Sequence, residues 1–146
     1  MSKLLPKVKI SYLYHVTYIN NVASIAQEGL TPNIDRDSTF GDGYPIHGRL
    51  YVSDYEGAEW YAKQLVEIFD RDTDEVVLLR FPKKDVRTKT DHYGNPGDRY
   101  TTQSIDPHMI DLFRGGKWIS INMFIDELFE AQRNQSTIQE LEASYS

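Results

Sequence analysis

Four stretches decide how this chain folds: YLYHVT at 12–17, NNVASIAQEGLTP at 20–32, GDG at 41–43 and GRLYVSDYEGAEWYA at 48–62. The first belongs to a strand, Lys7–Val16, rich in β-branched and aromatic residues. Asn20 or Asn21 is placed to cap a helix whose apolar face is Val22, Ile25 and Ala26. Gly29 ends that helix and Pro32 prevents its restart. Thr31–Arg49 holds Gly41, Gly43, Pro45 and Gly48 and reads as a long loop. Loops of this length in compact domains are often functional. Leu50–Ser53 reads as a short strand. Asp54 then caps a helix over Glu56–Ile68, with Ala58, Tyr61, Ala62, Leu65 and Ile68 on one stripe.

Further along, Asp70–Glu75 reads as an acidic turn and Glu75–Phe81 as a buried strand ended by Pro82. Asp91–Gly97 is a turn-rich loop. Tyr100–Ile105 reads as a strand closed by Pro107, and Trp118–Ile121 as the last strand. Met123–Leu141 reads as one or two helices, amphipathic in the first half and frayed after Ser136. Strands and helices in this order give an α+β domain, not the regular alternation of a dinucleotide-binding sheet. Gly41-Asp42-Gly43 lacks the third glycine of that fingerprint. The expectation is one domain over residues 1–146, with a helical tail from 123 onward.

Composition narrows the function classes. The chain has 146 residues, 40% hydrophobic and 26% charged, which fits one soluble globule. It has no cysteine, which removes thiolate catalysis and thiolate zinc sites. His15, His47, His92 and His108 have no metal-ligand spacing, so no metal is expected. No apolar run approaches a membrane span, and no signal-peptide core stands at the N-terminus, so a cytoplasmic protein off the membrane is expected. The net charge of −6 does not favour a general nucleic-acid coat. Arg80, Lys83, Lys84, Arg87 and Lys89 form one basic stretch, read as a solvated strand end and loop. Ten tyrosines, six phenylalanines and two tryptophans suit both a core and a flat-ligand site.

Taken in order, the four stretches resemble the catalytic half of the ADP-ribosyltransferase superfamily, in the His-Tyr branch. That branch includes the poly(ADP-ribose) polymerases, the rifampicin ADP-ribosyltransferases and the DarT-type toxins. Its pattern is a strand ending in His-x-Thr or His-x-Ser, a helix ending in Gly-Leu and a Gly-containing loop. A strand with a Tyr follows, then a helix that begins with small residues and carries an aromatic. VVLLRFP at 76–82 and YTTQSIDP at 100–107 are similar to later strands of the family, the second with its Ile-x-Pro ending. The resemblance implies two small packed antiparallel or mixed sheets with flanking helices and a C-terminal helix. It also implies a mono-ADP-ribosyltransferase that takes NAD⁺ as substrate and transfers ADP-ribose to a protein, nucleic-acid or small-molecule acceptor.

The roles follow residue by residue. His15 is expected to hydrogen-bond a ribose hydroxyl, the Val16 backbone to bind the carboxamide, and Thr17 to support the strand or the ligand. Tyr51 is expected to stack on the nicotinamide, with Trp60 as a second wall. Each aromatic face attracts the cationic ring by about 0.5–2 kcal/mol. Gly43 lies in the loop that borders the ligand. Gly57 stands where several relatives have a Ser, a role Ser53 is placed to fill. The branch usually carries a Glu on a later strand, and none stands between Val76 and Ile121. Asp98, Asp91 and Gln103 are the candidates for that position. Clamping ring and ribose suits a reaction in which nicotinamide leaves through an oxocarbenium-like state.

Each of these residues also has a plain structural role open to it. A strand-end His is usually a satisfied polar group, Tyr51 and Trp60 suit a core, and Asp91 and Asp98 suit turns. Three alternatives stand beside transfer. One is an NAD⁺- or ADP-ribose-binding module without turnover. Another is an RNA 2′-phosphotransferase using Arg49 and Arg80, and the third is an interaction protein of another fold. By analogy alone, a small transferase of this kind fits a bacterial or phage toxin, resistance enzyme or effector.

Overall fold

The computed structural model describes residues 11–32, 48–67, 72, 75–92, 94 and 97–144. Gly43, His47 and most of the 31–49 loop lie outside them, as do residues 1–10, which include Lys7–Ile10 of the first predicted strand. The strands are β1 (Tyr12–Tyr18), β2 (Leu50–Ser53), β3 (Val76–Pro82), β4 (Lys89–Thr90), β5 (Asp98–Thr101), β6 (Asp111–Arg114) and β7 (Lys117–Ser120). The helices are α1 (Val22–Glu28), α2 (Tyr55–Glu67) and α3 (Ile121–Ser144).

All seven strands join in one sheet of order β4-β5-β2-β1-β3-β6-β7, and each pairing is antiparallel. The expectation of two packed sheets is therefore corrected to one. The reason lies in β1, which pairs on both edges. It meets β3 over its whole length, from Tyr12 opposite Pro82 to Tyr18 opposite Val76. Its pairing with β2 is a single rung, Tyr14 opposite Ser53. One sheet thus has two halves that meet at a weak joint.

Residues opposite one another across an antiparallel pair share a face. Leu13, Leu50, Val52, Leu79, Phe81 and Leu112 line one face, all at most 4% exposed. They form the core with Val22 and Ile25 of α1 and Ile121 and Phe124 of α3. α2 packs on the other face, across β1, β2 and β3.

The local determinants are mostly those expected. Asp54 caps α2 by accepting from the Gly57 amide at 2.8 Å. Gly29 leaves α1 at φ +85°, its amide still donating to Ile25. A side chain at Gly29 would meet the Ile105 carbonyl oxygen at 2.1 Å, so the close approach as well as the dihedral selects glycine. That approach lets Leu30 and Ile105 exchange two backbone hydrogen bonds, of 3.0 and 2.8 Å. The Gly-Leu and Ile-x-Pro fragments are therefore direct partners. Asn21 stands at the α1 N-cap but makes no capping bond, since its amide donates to the Thr17 hydroxyl at 3.1 Å.

Several boundaries shift. The strand expected at Tyr100–Ile105 begins at Asp98 and ends at Thr101, and Gln103 lies beyond it. The last helix starts at Ile121 and runs unbroken to Ser144, without an end at Ser136. β4 and β6 were not anticipated, because two residues and a DLFR tetrapeptide carry too little periodicity to announce a strand.

Candidate active site

The candidate residues come together along the β1–β2–β5 strip. The His15 ring Nδ1 lies 2.7 Å from the backbone carbonyl of Tyr51. A carbonyl only accepts, so Nδ1 carries the proton and Nε2 of the neutral ring is the acceptor. Besides the Tyr14–Ser53 rung, this side chain also reaches across from β1 to β2. The alternation sends His15 toward the α1 face with Leu13 and Thr17, and Tyr51 toward the α2 face with Ser53. The two rings are thus joined through the Tyr51 carbonyl, at the joint between the halves of the sheet.

β5 brings the acids to β2. Asp98 is its first residue, directly opposite Ser53, and Tyr100 stands opposite Tyr51. The Asp98 carboxylate accepts from the Tyr61 hydroxyl of α2 at 2.8 Å. Asp91 donates its backbone amide to the Asp98 carbonyl at 3.0 Å. Both aspartates are 3% exposed. A Cβ built on Gly94 would lie 2.5 Å from an Asp98 oxygen and 2.7 Å from an Asp91 oxygen, so the two oxygens are at most about 5 Å apart. Asp54 approaches from the α2 cap, its Oδ1 and the Asp98 Oδ1 each about 3 Å from a Cβ built on Gly57. Gln103, the third candidate, is used elsewhere. Its side chain accepts from the Arg87 amide and donates to the Asp85 carbonyl.

The remaining predicted residues have clear placements. Val16 is paired with Leu78 in the β1–β3 ladder. Thr17 is buried and accepts from Asn21. Ser53 is buried and donates to the Asp54 carbonyl at 3.0 Å. Gly57 leaves no room for a side chain, since a Cβ there would be 2.9 Å from the Ser53 Cβ. Trp60 is 44% exposed and packs edge-on against Tyr61, with centroids 5.1 Å apart. Arg80 lies between the Tyr12 and Trp118 rings, at 4.0 and 4.3 Å, and pairs with Asp111 at 3.0 Å. Tyr14 packs against Trp118 and Tyr55, and burial pushes its phenol up although the Arg80 charge opposes this.

Tyr61 was read from the sequence only as part of an apolar stripe. Gly57, Tyr61 and Leu65 recur at helical spacing, which aims that hydroxyl at the strand under α2. Among the described residues, no group of three or more histidine or acidic side chains is placed to hold a metal ion. No described helix is long and apolar enough to cross a membrane. Comparison of the chain with protein-family models, curated proteins and solved structures returns no match.

Proposed function

We propose that this protein is an NAD⁺-dependent mono-ADP-ribosyltransferase, with His15, Tyr51 and Asp98 as its site. The observation that carries this reading is the adjacency of the three positions. His15 on β1 bonds the backbone of Tyr51 on β2, and Asp98 opens β5, the other neighbour of β2. The resemblance asks for a His, a Tyr and an acid on successive site strands, and residues 83 positions apart in the chain meet that demand.

In this reading the His15 Nε2 accepts from a ribose hydroxyl, because Nδ1 is committed as a donor. The Tyr51 ring stacks on the cationic nicotinamide. The bond between nicotinamide nitrogen and ribose C1′ breaks, and its electron pair leaves with nicotinamide. The acceptor's nucleophile bonds C1′, and its proton passes to Asp98. Tyr61 orients the Asp98 carboxylate, and Asp91 supports it through the backbone. Asp98 is favoured over Asp91 because it stands on the strand paired with β2.

The test is nicotinamide release and transfer of labelled ADP-ribose from NAD⁺. His15→Ala and Tyr51→Ala each lower release by roughly a hundredfold or more, the scale of lost positioning and charge stabilisation. Wild-type protein that releases no nicotinamide, or two variants as active as wild type, would refute the reading. One observation favours the binding module as a second reading: Asp98 and Asp91 are both only 3% exposed, which shields them from an acceptor. That module predicts a higher melting temperature with NAD⁺ and no turnover.

A further inference from the structure

The face of the sheet that carries the Tyr51 side chain also carries two cations outside the constellation above. Tyr51, Tyr100 and Lys89 stand directly opposite one another on β2, β5 and β4. They form one cross-strand row on a single face. Arg49, just before β2, holds its guanidinium 3.9 Å from the centroid of the Tyr100 ring. Among the described residues neither Arg49 nor Lys89 has a carboxylate partner. This is notable in a chain of net charge −6. The neighbouring arginines differ. Arg99 points to the opposite face and donates to Thr88, and Arg80 is paired with Asp111.

A guanidinium stacked on a ring keeps its in-plane N–H fork for an anion, and that fork matches phosphate oxygens. Tyr51 and Lys89 are two strand spacings apart, about 10 Å. A planar ring at one end and a phosphate at the other is the outline of a nucleotide. We infer that Arg49 and Lys89, flanking Tyr100, form a phosphate-binding strip for a nucleotide ligand whose ring lies against Tyr51. The placement of that ring rests on the transferase reading; the phosphate strip does not. The phosphate has two possible sources, the diphosphate of NAD⁺ or the backbone of a single-stranded nucleic-acid acceptor.

Calorimetric titration of the intact protein with NAD⁺, with ADP-ribose and with a short single-stranded thymidine oligonucleotide separates them. At least one of these binds the wild type. Lys89→Ala and Arg49→Ala each weaken that ligand roughly tenfold, as for loss of a charge-assisted hydrogen bond. Lys89 is exposed on a two-residue edge strand, so its truncation tests the strip without disturbing the core. Weakened NAD⁺ and ADP-ribose assign the strip to the diphosphate. Weakened oligonucleotide binding, with a salt slope lowered by about one per cation removed, assigns it to the acceptor. Wild-type protein that binds none of the three, or an Arg49→Ala/Lys89→Ala double variant with wild-type affinity, overturns the strip. Strip-dependent binding without nicotinamide release sinks the transferase reading alone.

Discussion

Gly57 shows how one residue can serve helix and site in opposite senses. It lies in the first turn of α2, where replacing glycine by alanine would ordinarily gain about 1 kcal/mol of helix propensity. Here the new Cβ would meet the Ser53 Cβ at 2.9 Å and carboxylate oxygens of Asp98 and Asp54 at 3.0 and 3.1 Å. Overpacking of this kind costs about 1–3 kcal/mol, and two of the three obstacles, Ser53 and Asp98, are buried, their side chains held by hydrogen bonds to Asp54 and Tyr61. The packing cost wins. Gly57→Ala is expected to lower stability in urea by roughly 1 kcal/mol, the difference of those two effects. A variant at least as stable as wild type would show that α2 can lift from β5, and that Asp98 is less tightly held than its contacts imply. His15 gives the complementary lesson. Its type and context were legible in the sequence. Its tautomer was not, because that depends on a carbonyl 36 residues away.

At the scale of elements, what was legible depended on length and punctuation. α1 and α2 were read within a residue or two, since each has an apolar stripe, a candidate cap or a terminal glycine. β2 was read without error because LYVS is bounded by a glycine and an acidic cap. The β6–β7 hairpin was missed although its turn is plainly written. Gly115 and Gly116 have φ +58° and +78°, the pattern of a two-residue I′ turn. Nothing lies within 4 Å of a Cβ at either position, so any cost of substitution there is backbone strain alone. Gly116→Val therefore costs about 1–2 kcal/mol for the left-handed conformation. Gly115→Asn, a residue this turn accepts, leaves stability within roughly 0.5 kcal/mol of wild type. Equal effects in the two variants, measured by chemical denaturation, would contradict the turn assignment.

Over the whole molecule, the α+β class could be read from the chain, and His15 and Tyr51 could be named with Asp98 as one of three candidates for the acid, but the single sheet could not. Whether β1 bridges two halves depends on the Tyr14–Ser53 rung and on long-range register, which no local pattern specifies. The helical tail has a similar division. Ile121 and Phe124 of α3 are at most 1% exposed and belong to the core, with Ile125 and Leu128 packed against it. From Phe129 to Ala143 every residue is exposed. That stretch has no buried face to hold it, and an isolated helix of about this length is marginal in water. Deleting residues 131–146 is therefore expected to remove helical ellipticity while changing global stability by no more than roughly 0.5 kcal/mol, the range for surface changes. The cooperativity of unfolding should persist, because the core contacts of α3 all precede the cut. A large drop in melting temperature would place a stabilising contact on the far half of α3. Truncation that instead leaves ellipticity unchanged would mean that this half is already frayed in solution.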